Sequence, residues 1–189
     1  MRMVWISLVS LVLTLSFSAA LATDLDRGAL ERGEVIVEEV RSTSGIPGVR
    51  ASFVVLASRE TIWATLLDYD NFPKFFKGID RLVVLEQDVD GARVEFWINA
   101  VLVDLHYILY RHYVEPGHRL TWRRVSGDLK EIQGSWQIID TDDPAKKLLI
   151  YASYVDIGFS PVTWIIRQGA KTKAEEMCHR LRQWLENQK

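Results

Sequence analysis

The chain has a single cysteine, Cys178, among 189 residues. One thiol can build neither a disulfide framework nor a cysteine-based zinc site. Charge of one sign is also scarce: 23 Lys and Arg stand against 25 Asp and Glu, for a formal −2. A nucleic-acid binder needs a basic excess on one face, so that class has no electrostatic support. Gly-x-Gly-x-x-Gly and Walker loops do not occur, and neither does a Gly-x-Ser-x-Gly elbow. The sequence signals for nucleotide binding and for that type of serine hydrolase are therefore missing. What is present is ordinary globular composition, 48% hydrophobic and 25% charged. Disordered and collagen-like chains are excluded, and the length fits one domain.

The hydrophobic residues are unevenly placed. Residues 1–22 read MRMVWISLVSLVLTLSFSAALA, with Arg2 as a short positive region and an uncharged run of 12 residues from Ile6 to Phe17. Ala20-Leu21-Ala22 is a small-x-small site followed by polar Thr23 and Asp24. This is the pattern of a secretory signal peptide, and the expectation is cleavage after Ala22 and a secreted or periplasmic protein. A retained anchor is the weaker reading, because a spanning helix needs about 20 apolar residues and this run is shorter. No cysteine sits at the cleavage point to carry a lipid. Residues 1–22 hold 16 of the 91 hydrophobic side chains, leaving about 45% over the other 167 residues. No second run of 18 apolar residues follows, so the mature chain is expected to be soluble. At that size a domain buries roughly two-thirds of its unfolded surface and needs no disulfide.

Residues 23–32 form a polar lead-in, and 33–189 read as one domain. Two β-rich runs, 34–40 and 49–56, flank a Ser, Gly and Pro turn and suggest a hairpin. The period then changes to helical. Ser58 is placed to cap a helix whose apolar face is Ile62, Trp63, Leu66 and Leu67. Asp70 or Asn71 can cap a second short helix with Pro73 in its first turn and Gly78 at its end. Strand candidates follow at 81–88, 92–101, 103–115, 118–126, 131–140 and 147–157, separated by turn chemistry. Connections so short demand antiparallel neighbours. From Pro161 to about Asn187 the pattern is one long helix with an apolar stripe of Ala170, Ala174, Met177, Leu181 and Trp184. Ile166, Cys178 and Leu185 flank that stripe. The expected class is α+β: a curved antiparallel sheet of about seven strands, two short helices and one long C-terminal helix. A one-sided sheet must cover its apolar face, and only the last helix is long enough. Such a sheet wrapped about a helix leaves room for an aromatic-lined cavity.

The run ASRETIWATLLDYDNFPKFFKGI, Ala57 to Ile79, resembles the opening of the START-like helix-grip superfamily. That superfamily includes polyketide cyclase/dehydrase-type domains, the coenzyme Q-binding START family and the pollen-allergen-like lipid carriers. Gly134-Ser135-Trp136 resembles its Gly-x-Trp, and the segment from Asp156 to Pro161 resembles its turn into the C-terminal helix. The likeness covers about residues 49–188, with the coenzyme Q-binding type closest in appearance. It implies a helix-grip fold and a module that binds a hydrophobic ligand. The superfamily holds carriers, transfer proteins and enzymes alike, so no catalytic residue comes with it. The strand at 34–40 and the signal peptide depart from the simplest family pattern.

The polar constellations are weak. His106 and His112 lie six residues apart on one strand, about 20 Å, too far to share an ion. His118 adjoins a turn and His179 sits on the polar flank of the last helix. Neither a metal nor a cofactor is assigned, and no residue is assigned a catalytic role. The aromatic set Trp97, Tyr107, Tyr110, Trp122, Trp136, Tyr151, Tyr154, Phe159 and Trp164 carries more information, because large rings on a curved sheet favour a lined cavity. Period-2 alternation puts Val94, Phe96 and Ile98, Leu120 and Trp122, and Gly134, Trp136 and Ile138 on the inner face. The candidate cavity residues are Phe96, Ile98, Tyr107, Tyr110, Trp122, Trp136, Ile138, Tyr154, Phe159 and Trp164, with Arg111 and Arg124 as polar anchors.

The function expected is sequestration or transfer of a lipid- or quinone-like molecule by an exported monomer. Transient contact with a membrane is compatible with it, and nucleic acid is not a partner. The alternative is a cyclase-, dehydrase- or hydrolase-type enzyme using Asp104, His106 and a cavity tyrosine; it requires those groups to face the cavity. The strand face Asp104-His106-Ile108-Tyr110-His112 reads equally as the wet outer face of the sheet. A third class is an interaction module with a filled core and an exposed apolar patch.

Overall fold

The computed structural model describes residues 26–99, 104–158 and 163–188, with side chains described from 169 onward in the last segment. The leader 1–22, Phe159, Pro161 and the side chains of Trp164 and Ile166 lie outside the described residues.

The elements follow the chain as α1 (Arg27–Glu31), β1 (Ile36–Arg41), β2 (Pro47–Val55), α2 (Arg59–Leu67), a 3-10 turn (Tyr69–Asn71) and α3 (Phe72–Phe75). Then come β3 (Ile79–Gln87), β4 (Gly91–Asn99), β5 (Asp104–Glu115), β6 (Arg119–Gly127), β7 (Glu131–Asp140), β8 (Lys147–Asp156) and α4 (Thr163–Glu186). Among the described residues one antiparallel sheet of eight strands forms, ordered β1-β2-β8-β7-β6-β5-β4-β3. These are the eight β-rich runs of the sequence, the first two pairing as the expected hairpin along the whole of β1.

Local chemistry accounts for the helices. Ser58 is the N-cap of α2 and accepts from the Thr61 N–H, satisfying one of the first-turn donors that a helix leaves unpaired. Pro73 sits in the first turn of α3, where its missing N–H costs least. Gly78 then turns the chain into β3 at φ 90°, a left-handed backbone that favours glycine. The α2–α3 link carries the chain from β2 to the far edge of the sheet at β3. The lead-in is not loose throughout. Asp26 caps α1 through the Ala29 N–H, Ala29 and Leu30 are buried, and Arg182 of α4 donates to the Gly33 carbonyl at 2.6 Å.

The pleat sorts each strand into two faces. On the α4 side, Ala51, Phe53 and Val55 of β2 lie beside Leu149 and Tyr151 of β8, Trp136 and Ile138 of β7, and Leu120 and Trp122 of β6. From α4 this face meets Ala174, Met177, Cys178, Leu181 and Leu185, all buried. Phe53, Leu120, Leu149 and Leu181 are fully buried and Trp136 nearly so, forming a solid core under the second half of the helix. Gly134 shapes its centre: a Cβ there would lie 2.2 Å from the Trp122 ring and 2.3 Å from the Ala152 carbonyl oxygen. The expected outcome for Gly134→Ala is a loss of about 1–3 kcal/mol through forced overpacking, read as a lower urea midpoint at unchanged slope.

Candidate functional site

The core is solid at one end and open at the other. Towards the β4–β5 end of the sheet, Ile98, Leu105, Tyr107, Tyr151 and Val155 face inward against the core yet keep part of their surface uncovered. Their positions follow from register. Phe96 stands opposite Tyr107, Ile98 opposite Leu105, and Trp136 between Leu120 and Tyr151. The rings contact one another: Phe96 stacks on Tyr107 at 5.5 Å, Tyr151 stacks on Trp122 at 5.7 Å, and Trp136 meets Tyr151 at 4.8 Å. The surface they present is apolar and aromatic, with two phenol hydroxyls as its polar groups.

Of the sequence-predicted cavity residues, Phe96, Ile98, Tyr107, Trp122, Trp136 and Ile138 share this inner face. Trp136 and Ile138 belong to its solid part. Tyr110 and Tyr154 do not join them. Tyr110 pairs with Arg93 and Arg123, and Tyr154 with Gly48 and Gln133, which places both on the opposite face. The alternation within β5 and β8 requires this once Tyr107 and Tyr151 point inward. Tyr151, part of the aromatic set but not among the candidate cavity residues, also faces inward, with Leu105 and Val155. Its signal was the alternation Leu149-Tyr151-Ser153 opposite Ile138-Trp136-Gly134.

The two anchors differ. Arg111 faces inward and is 3% exposed, engaged through Nη2 while its Nη1 is buried without a partner. Its Nη2 donates to the Leu66 carbonyl at the end of α2 (3.1 Å), and its guanidinium lies 4.9 Å from the ring centres of Tyr69 and Phe72. A cation at a helix C-terminus between two aromatic faces is a structural clamp. Arg124 is partly buried on the same face as Trp122. Its Nη2 donates to the Gly127 carbonyl at 2.7 Å, while its Nε is buried without a partner.

The groups named in the enzyme alternative stand on the face of β5 opposite Tyr107. Asp104 is exposed, and His106 stands on the outer face, bonded through Nε2 to Glu95 (2.7 Å) and stacked on Trp97 (4.9 Å). Both nevertheless line a concavity of about 490 Å³ that they share with Ile98 and Leu105. Among the described residues no set of three His, Cys, Asp or Glu side chains is arranged to hold a metal, and no helix is long and apolar enough to cross a membrane. Burial pushes the Cys178 thiol up to about 12, so it stays a protonated packing group.

Burial also raises the hydroxyls of Tyr107, Tyr113 and Tyr151, the last to about 12. Such phenols hold their protons more tightly in the native chain than in the unfolded one. Their contribution to stability is whole below the unfolded value of about 10 and is lost as pH rises through the native one. A melting series should therefore show a steep fall in Tm from about pH 10 to about pH 12, shallower in Tyr151→Phe. Arg111→Ala should cost about 2–4 kcal/mol in denaturant unfolding, from the lost charged hydrogen bond and the vacated volume.

Residues 55–182 match the family described as polyketide cyclase / dehydrase and lipid transport. No curated protein matches the chain. Solved structures share the fold at low identity. A STAR-related lipid transfer protein from Xanthomonas axonopodis is 14% identical, with 80% of this chain and 93% of that one covered and a TM-score of 0.67. A START superfamily protein from Mycobacterium smegmatis is 16% identical, covering 75% of this chain and 99% of that one at a TM-score of 0.65. The Zhui aromatase/cyclase from a Streptomyces species is 14% identical, covering 77% and 84% at a TM-score of 0.53. With most of its length matched and a helix wrapped by one curved sheet, the chain belongs to the polyketide cyclase/dehydrase and lipid transport family.

Proposed function

We propose that this protein binds a hydrophobic small molecule, lipid- or quinone-like, between the open end of the sheet and α4, and that it acts by sequestration or transfer without chemistry. The observation that carries the reading is the set Ile98, Leu105, Tyr107, Tyr151 and Val155, inward-facing apolar side chains that the described core leaves part uncovered. Exposed inward apolar surface is unfavourable by about 25 cal/mol per Å², and an apolar ligand removes that cost. A few polar groups then set orientation. Arg124, with its unpartnered Nε, is the group placed to meet a polar head. The leader read from residues 1–22 makes the protein an exported carrier, acting as a monomer.

Two measurements test this. Mass spectrometry of solvent extracts from natively purified protein should detect a co-purifying apolar molecule. A fluorescent fatty-acid probe should bind, and Leu105→Trp, which fills the open end, should weaken it by about tenfold, or ~1.4 kcal/mol. Arg124→Gln should change the preference among head groups more than the affinity for the tail. An empty extract together with no binding of any apolar probe would sink the carrier reading.

A further inference from the structure

The face of the sheet turned away from α4 carries a second concavity, open and polar, of about 480 Å³. Register explains its shape. Its floor is the row of small side chains Ala152, Ser135 and Thr121, each opposite the next across β8, β7 and β6. One wall is Tyr154, Gln133 and Arg123; the other is Ser52, Ile150, Gln137 and Arg119. Arg50 closes one end, its guanidinium held by Glu38 at 2.8 Å. A trough so made runs across the strands, with long side chains on both sides of a short-chain floor.

Its chemistry is one-sided. Three arginines line it and no carboxylate does. Among the described residues Arg119 and Arg123 have no ion-pair partner; Arg123 lies over the Tyr110 ring at 5.5 Å. The nearest carboxylates by register are Glu38, engaged by Arg50, and Glu131 and Asp156 beyond the Tyr154 wall, with Asp156 bridged to Lys130 at 2.9 Å. Ser52, 1% exposed at one corner, keeps a hydroxyl with no hydrogen-bond partner. A buried polar group left unpaired costs free energy, so a ligand that supplies its partner gains from it.

We infer that this trough is a binding site for an anionic saccharide, separate from the apolar site on the other face. Arginine forks match carboxylate and sulfate groups. Gln133, Gln137, Ser135 and Thr121 both donate and accept, as a ring of hydroxyls requires. Tyr154 offers an aromatic face for the apolar edge of a sugar. The volume falls within the range of small-molecule sites, about 300–1,000 Å³. A peptide would instead add to the free edges at β1 or β3, where unpaired backbone groups lie, and not across mid-sheet.

Calorimetric titration tests it with three probes: a galacturonate trimer, a heparin-derived tetrasaccharide and neutral maltotetraose. At least one acidic probe should bind, weakening about tenfold or more between about 20 and about 200 mM salt, and the neutral one should not. Which acidic probe binds identifies carboxylate or sulfate as the recognised group. Arg119→Gln with Arg123→Gln, both exposed positions, should cut affinity about tenfold or more while melting and fatty-acid-probe binding stay unchanged. Thr121→Trp, which fills the floor, should abolish binding. The site is refuted if neither acidic probe binds, if maltotetraose binds as well as they do, or if the double variant binds like the parent. Loss of the apolar site alone would leave these results untouched.

Discussion

Everything in this molecule depends on covering one face of one sheet. Eight antiparallel strands present Phe53, Leu120, Trp136 and Leu149 on the same side, and an apolar surface of that extent does not stay in water. The chain meets the demand with α4, whose Ala174, Met177, Cys178, Leu181 and Leu185 lie along it, and with the short helices between β2 and β3. Arg111 ties those short helices down, donating to the end of α2 from the middle of β5. Arg182 ties the N-terminal segment to α4. Each tether holds an element whose own contacts are few.

That cover is uneven, and the unevenness is what makes a binding site. Under the second half of α4 the side chains interdigitate and little surface is left. Near Ile98, Leu105 and Tyr107 the inward surface is only partly buried. A family containing both lipid transport and cyclase members fits such a frame, because the same open end can hold a passive guest or a reacting one. Here Asp104 and His106 stand on the face of β5 opposite Tyr107, in a concavity they share with Ile98 and Leu105. The opposite face has the reverse character, with a short-chain floor and cationic walls. Two faces of one sheet thus offer unlike environments separated by the thickness of the pleat.

Much of this is legible in the sequence. Ser58, Pro73 and Gly78 mark helix boundaries by local hydrogen bonding and φ alone, and the structure puts α2 and α3 where they say. The stripe on α4 is visible at helical period, and its Ala174, Met177 and Leu181 are buried together with the flanking Cys178 and Leu185. Phe96, Tyr107, Trp122 and Trp136 followed from strict alternation. Alternation also argued against Tyr110, which shares a face with Asp104 and His106, and the attraction of an aromatic ring overrode it. Tyr154 failed for the same reason, since Tyr151 and Tyr154 differ by an odd number of positions and cannot both point inward. The helix α1 was hidden because five residues carry too little periodicity to read; its cap and its burial against the sheet exist only in the folded chain.

The sequence by itself determined the period of each segment, its turns and its caps, because those depend on neighbours a few residues away. It determined, too, which side chains on a given strand share a face. Only the tertiary structure decided which face of each strand turns towards α4, since that depends on partners from distant parts of the chain and on two register shifts between β5 and β6. It likewise decided that Arg111 donates to Leu66, that Gly134 makes room for Trp122, and that the small residues of β6, β7 and β8 align into a trough. Cross-strand pairing sets these contacts, and pairing is a property of the whole sheet.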